Sequence, residues 1–221
     1  MEMNMINQKN FFLYALILTL IIFNLGIFMG YMLENSRVSK INALSIDSEL
    51  ELLDQMTQKN AINLLDLGCE SLIEENVKFG DKVFKEAQQI AKYEEANKLG
   101  TEIITQHKRF DLLRSLFWMN SIEIKQKCNS DYHNVIYFYK YNDPSIEQKS
   151  KQTFFSNILS QIKENEGSNM MLIPLSADNN ITSINLLIKK YNITELPTIL
   201  IDEKIKITEV NDSSEIEKYL N

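Results

Sequence analysis

Hydrophobic and polar positions follow three different patterns along the chain. The first is an unbroken apolar run, Phe11 to Leu33, which reads FFLYALILTLIIFNLGIFMGYML and carries no charge over its 23 residues. At 1.5 Å rise per residue such a helix is roughly 35 Å long, enough to cross a ~30 Å hydrocarbon core. A cleaved signal peptide would have a shorter apolar region, about 7–15 residues, followed by a small-x-small cleavage site. The flank Tyr31-Met32-Leu33-Glu34-Asn35 offers no such site, so the run is read as an uncleaved signal anchor behind a short tail, residues 1–10. Lys9 on one side and Arg37 and Lys40, offset by Glu34, on the other give the positive-inside rule almost no vote. Gly26 and Gly30 form a G-x-x-x-G, a spacing that lets two membrane helices approach closely, so a homo-oligomer through this pair is one expectation.

The second pattern has helical period. From Val38 to Lys127 there is no proline, and glycine occurs only at 68, 80 and 100. Apolar residues recur as Ile41, Leu44, Leu50, Leu53, Ile62, Leu65, Cys69, Leu72 and Ile73. A second series is Val83, Phe84, Ala87, Ile90 and Ala91. A third is Ile103, Ile104, Phe110, Leu113, Leu116 and Phe117. Gly80-Asp81 and Gly100-Thr101 have the form of a helix stop followed by a cap. Residues 34–130 are therefore expected to be two to four helices packed as a hairpin or small bundle. Alternating charges at Glu86, Lys92, Glu94, Glu95 and Lys98 fit a solvated face.

The third pattern, from residue 131, alternates strand and helix. His133–Tyr141 is β-branched and aromatic, and Asn169–Ala177, Thr198–Asp202 and Lys204–Val210 are further strands. Helices are expected at Ile146–Glu166, with Phe154, Phe155, Ile158, Leu159 and Ile162 on one face, at Ile181–Tyr191 and at Ser214–Leu220. The last two strands meet in a tight turn near Asp202-Glu203. The order is β-α-β-α-β-β-α, and the first βαβ unit should be right-handed with parallel strands. Pro174 cannot donate to a ladder, which places its strand at a sheet edge.

Composition adds limits. The chain has 221 residues, 44% apolar, 10% aromatic and 24% charged, which is globular and excludes a disordered or collagenous chain. A net charge of −7, from 23 basic and 30 acidic residues, with no long basic run, argues against nucleic acid as a partner. Two cysteines and two histidines leave few ligands for zinc, and neither a Gly-rich phosphate loop nor G-x-S-x-G occurs, so no cofactor is expected. His107 and His133 are expected to be ordinary surface or boundary residues.

Two segments of the last third carry a resemblance. The strand Val135-Ile136-Tyr137-Phe138-Tyr139 is similar to the first central strand of the thioredoxin superfamily. Tyr191-Asn192-Ile193-Thr194-Glu195-Leu196-Pro197-Thr198 resembles that family's loop, in which the proline is cis. The resemblance covers about residues 131–221. Together with a membrane anchor and a helical segment it is also similar to a group of archaeal membrane-anchored proteins. It implies a strand order of 2-1-3-4 and a cis Leu196–Pro197 bond.

The family's redox chemistry is missing. Its C-x-x-C follows the first strand, where a helix N-terminus favours the thiolate. Counted from Phe138, those positions fall on Asp143 and Ile146 in Asp143-Pro144-Ser145-Ile146. Asp143 suits an N-cap with Pro144 at the first helical position. The resemblance then implies a membrane-anchored, redox-inactive module that binds protein or an extended peptide. Its site would be Leu196 and Pro197, faced by Asn142, Asp143 and Ile146, with β-augmentation as the mode.

Cys69 and Cys128 are the only thiols. They form a structural disulfide, which would require an oxidising compartment, or they are independent residues with Cys69 on an apolar face. Two other functions stay open: a thiol-disulfide oxidoreductase working through Cys69 and Cys128, and a structural membrane protein that oligomerises through its helical segment. The sequons at Asn180, Asn192 and Asn211, with the cysteine pair, favour a C-terminal domain outside the cytoplasm.

Overall fold

The computed structural model describes residues 8–65, 67–96 and 101–220. The tail residues 1–7, Gly100 of the second expected cap, and the side chains of Ile41, Leu44, Ile90, Ala91 and Ile103 lie outside the described residues. The chain divides into two compact units, Met1–Asp47 and Ser48–Asn221. Helix α1 (Gln8–Leu64) begins in the first and ends in the second.

Within the first unit, Phe11–Ser36 has a mean hydropathy of 2.5 and no buried residue, and it is long and apolar enough to cross a membrane. It extends the expected span at its C-terminal end. Gly26 and Gly30 have open space where a side chain would project.

The second unit adds α2 (Cys69–Ala96), α3 (Thr101–Cys128), β1 (His133–Tyr139), α4 (Ile146–Glu166), β2 (Met170–Ser176), α5 (Thr182–Lys190), β3 (Thr198–Ile201), β4 (Ile205–Ile207) and α6 (Ser214–Glu217). The sheet order is β2-β1-β3-β4, as expected. β1 pairs with β2 in parallel, from His133 opposite Met170 to Tyr139 opposite Ser176. It pairs antiparallel with β3, from Val135 opposite Ile201 to Phe138 opposite Thr198. Pro174 stands on the edge strand β2, where its missing N–H costs no ladder bond.

β1 is buried at every interior position because both of its faces are covered, and of these positions only Asn134 is polar. Val135 and Tyr137 point into a core with Phe155, Leu159 and Ile162 of α4 and Ile216 of α6. Ile136 and Phe138 point to the other side, against Phe117 and Trp118 of α3 and Ile184 of α5. Residue 130 is therefore no boundary between separate hydrophobic cores. Helix α3 supplies one layer over the same sheet that α4 covers from behind.

Three local expectations are corrected. Gly80-Asp81 ends no helix, since both lie inside α2. A Cβ on Gly80 would stand 2.8 Å from Met171 Sδ and 2.9 Å from Phe117 Cζ, so glycine here allows α2 to close on α3 and β2. Asp143 is not the N-cap of α4; Ser145 is, accepting from Gln148 N at 3.1 Å. The proline at 144 disfavours helical backbone at Asp143, which instead has φ +43°. The S-x-x-Q spacing of Ser145 and Gln148 is the stronger start signal. Phe154 is 44% exposed, and the buried face of α4 instead ends on Lys163. The Lys163 ammonium donates to Asp81 Oδ1, Gly167 O and Met170 O at 2.7, 2.7 and 2.8 Å, which uses all three of its protons.

Cys69 and Cys128 are disulfide-bonded with Cα atoms 5.4 Å apart, joining the first residue of α2 to the last of α3. A small apolar cluster of Ile62, Leu72 and Ile124 packs beside this bond, with Leu67, Ile73 and Cys128 against it.

Candidate functional site

The register places the expected site residues at one end of the sheet. Phe138 lies opposite Thr198 and Tyr139 opposite Ser176. The segments that leave β1 and β2 and the segment that enters β3 therefore gather at the same end. Asn142 and Asp143 are exposed in the bend after β1, and Ile146, the first residue of α4, is 91% exposed. Leu196 is half-buried and packs against the core beneath α3 and α5, and Pro197 is buried. The Leu196–Pro197 bond is cis, as expected.

Side chains hold this end firmly. The Asp178 carboxylate accepts from Tyr141 N and Asn142 N, each at 2.8 Å, and the Asn142 amide donates to Asp178 O at 3.1 Å and Asn179 Oδ1 at 3.2 Å. Gln152 brackets Lys140, accepting from its N–H at 2.9 Å and donating to its carbonyl at 3.0 Å. Thr198 Oγ1 donates to Glu195 O at 2.6 Å. By contrast, no partner is found among the described residues for the backbone N–H and C=O of Leu196. Asp178 was not singled out in the sequence, because a carboxylate that binds backbone amides across a loop leaves no pattern there.

A second group beside this end was also missed. His107, Asp111 and Arg114 of α3 are 5%, 0% and 5% exposed. This corrects the expected surface position of His107; its spacing with Asp111 and Arg114, i, i+4 and i+7, is that of a buried helix face. The Asp111 carboxylate accepts from the Ser176 hydroxyl, from Asn179 Nδ2 at 2.9 Å and from Ser176 N at 3.4 Å. His107 Nε2 meets the Tyr139 hydroxyl at 2.8 Å, and its ring stacks on Tyr141 at 3.8 Å. The Ser176 hydroxyl is spent on the carboxylate rather than on the imidazole, so His107, Asp111 and Ser176 do not form a nucleophile and base pair. Their effect is to tie α3 to the end of β2.

The outer edge of β2 is closed by the same chemistry. Odd-numbered residues of β2 face β1, as the bond from Ala177 N to Tyr139 O shows, so even-numbered ones face out. Met170 O accepts from Lys163, Pro174 O accepts from Arg114 Nη1 at 3.2 Å, and Ser176 N donates to Asp111. Pro174 itself has no N–H. Long charged side chains thus occupy groups that an added strand would need.

The opposite end of the sheet has its own polar cluster. The turn from β3 to β4 carries Asp202 and Glu203, both with positive φ, 47° and 59°. Asp202 accepts from Lys125 Nζ at 2.7 Å and from Asn134 N at 3.0 Å, and it meets His133 Nδ1 at 2.6 Å. Burial alone would raise the Asp202 pKa, but Lys125, His133 and Asn134 outweigh it and hold the carboxyl below its ordinary range. Glu203 is pushed the other way, first by burial and also by the neighbouring Asp202 charge, against the bonds from Trp118 and Asn134.

Helix α3 runs between the two ends, since Asp111 meets Ser176 and Lys125 meets Asp202. Cys128 follows Lys125, so the disulfide lies at the Asp202 end. β1 separates that end from Leu196 by roughly 20 Å at 3.3 Å per residue.

No protein-family model and no curated protein matches the chain. Among solved structures, one titled "Structure of a malarial protein" is similar over 40% of this chain and 93% of its own, with 17% identity and a TM-score of 0.32. A likeness at that level bears on neither the fold nor the function.

Proposed function

We propose that the protein is a single-pass membrane protein whose second unit is a redox-inactive, thioredoxin-like module that binds extended peptide. The observation that carries the binding site is the unpartnered backbone of Leu196 next to the cis bond, at the sheet end where the segments after β1 and β2 are bonded to each other. An extended segment laid alongside would give both the N–H and the C=O of Leu196 a partner. The exposed Ile146 offers that segment an apolar contact. The sheet order and the mixed pairing of β1 support the thioredoxin-like reading. Asp143 and Ile146, in place of two thiols, support a role without dithiol exchange.

The disulfide supports an oxidising surrounding for residues 48–221, and hence their position outside the cytoplasm, with Phe11–Ser36 as the anchor. The oxidoreductase alternative is disfavoured because the Cys69–Cys128 bond stands at the far end of the sheet from Leu196.

The test uses the full chain in lipid nanodiscs and a permanently unfolded, carboxymethylated polypeptide as probe. A photo-crosslinker at Ile146 should capture the probe, and one at Leu186, exposed on α5, should not. Equal capture at both positions, or at neither, removes the site.

A further inference from the structure

We infer that Asn180 and Asn192 are acceptors of N-linked glycan and that Asn211, the third sequon, is not. The inference rests on the proposed position of the second unit outside the cytoplasm. On the folded domain a sequon is open to modification when its amide is exposed, free and flanked by an accessible hydroxyl, and the three sites differ in this. Asn180 and Asn192 are exposed on left-handed backbone, with φ 58° and 49°, immediately before α5 and immediately after it. Among the described residues neither side-chain amide has a hydrogen-bond partner. In each case the middle residue, Ile181 or Ile193, is anchored in the core, and the hydroxyl residue, Thr182 or Thr194, is exposed. The acceptor is thus held outward on a fixed base.

Asn211 is exposed too, but its Nδ2 donates to Glu215 Oε1 at 2.9 Å. The next residue, Asp212, accepts from Ser214 N at 2.9 Å and from the Ser214 hydroxyl, which fixes the segment as the entry to α6. Its amide is therefore engaged and its backbone committed.

The co-reactant is a lipid-diphosphate-linked oligosaccharide. Nδ2 of the acceptor attacks the anomeric carbon. The C–N bond forms as the C–O bond to phosphate breaks, the lipid diphosphate leaves with the bonding electrons, and one Nδ2 proton passes to a base of the transferase.

The experiment is translation of the full chain with endoplasmic-reticulum microsomes, read by gel mobility and by peptide mass after enzymatic deglycosylation, which turns each used Asn into Asp. Two mobility steps are expected. N180Q and N192Q should each remove one step, and N211Q none. T182A and T194A should repeat the losses without altering the left-handed Asn positions. A glycan on Asn211, or its absence from Asn180 and Asn192, overturns the inference. Protease added outside the vesicles separates the two causes of an absence. If residues 48–221 are protected but unmodified, only the glycan assignment fails; if they are digested, the outside position fails with it.

Discussion

Trp118 Nε1 donates to Glu203 Oε1 at 2.6 Å, linking the middle of α3 to a turn 85 residues later in the chain. Glu203 is drawn inward by this bond and by Asn134 Nδ2 at 3.2 Å, and burial raises its pKa. The folded state therefore holds the Glu203 proton more tightly than the unfolded chain does. Stability from this group is fully present below the ordinary glutamate value and is lost as pH rises through the folded value. Glu203→Gln should raise the thermal midpoint at pH 7 by the equivalent of about 1 kcal/mol, with the gain shrinking towards pH 4. A gain that does not depend on pH would contradict the assignment.

Asp202, one residue earlier, should show the opposite trend. Its carboxyl is held low against burial by Lys125, His133 and the Asn134 N–H. Its contribution is present above the ordinary aspartate value and lost as pH falls through the folded one. Asp202→Asn should cost about 1 kcal/mol at pH 7 and close to nothing in strong acid, measured by denaturant titration across pH.

Gly80→Ala tests the close approach of α2. Alanine normally favours a helix interior by about 1 kcal/mol over glycine. Here the added methyl meets Met171 and Phe117, so a loss of about 1–3 kcal/mol is expected instead. A rise in the chemical denaturation midpoint would show that Phe117 moves aside freely.

Asp111→Ala removes a fully buried carboxylate and leaves Arg114, the Ser176 hydroxyl and the Asn179 amide without their acceptor. A loss of about 3 kcal/mol or more is expected. The same change uncovers Ser176 N at the edge of β2, so the variant should also aggregate faster on mild heating, followed by light scattering.

Reduction of the disulfide should cost about 4 kcal/mol on the chain-entropy model, given the 59-residue separation of Cys69 and Cys128. Thermal midpoints with and without reductant, and of Cys69→Ser with Cys128→Ser, measure it.

The sheet was legible in the sequence because its strands are short apolar runs between clear turn residues, and Pro174 could sit only at an edge. The position of α3 over that sheet was not legible. Its buried face mixes Phe117 and Trp118 with His107, Asp111, Arg114, Asn120 and Ser121, so apolar spacing alone does not outline it. Gly80 was misread for a related reason: a glycine required for close packing and one that stops a helix are the same letter, and only the partners Phe117 and Met171 distinguish them. At the candidate site, Ile146 and Leu196 were named only through the resemblance to the thioredoxin superfamily. Asp178, which fastens the loop between β1 and α4, was not, because its partners are backbone amides.

The Cys69–Cys128 bond has a further consequence for the covalent form of the chain. It joins the start of α2 to the end of α3, so residues 69–128 form a closed ring. A single proteolytic cut anywhere inside that ring separates no fragment. The piece that carries the apolar N-terminal helix and the piece that carries the sheet would migrate as one species until reductant is added, and the sheet would stay tethered to that helix after the chain itself had been cut.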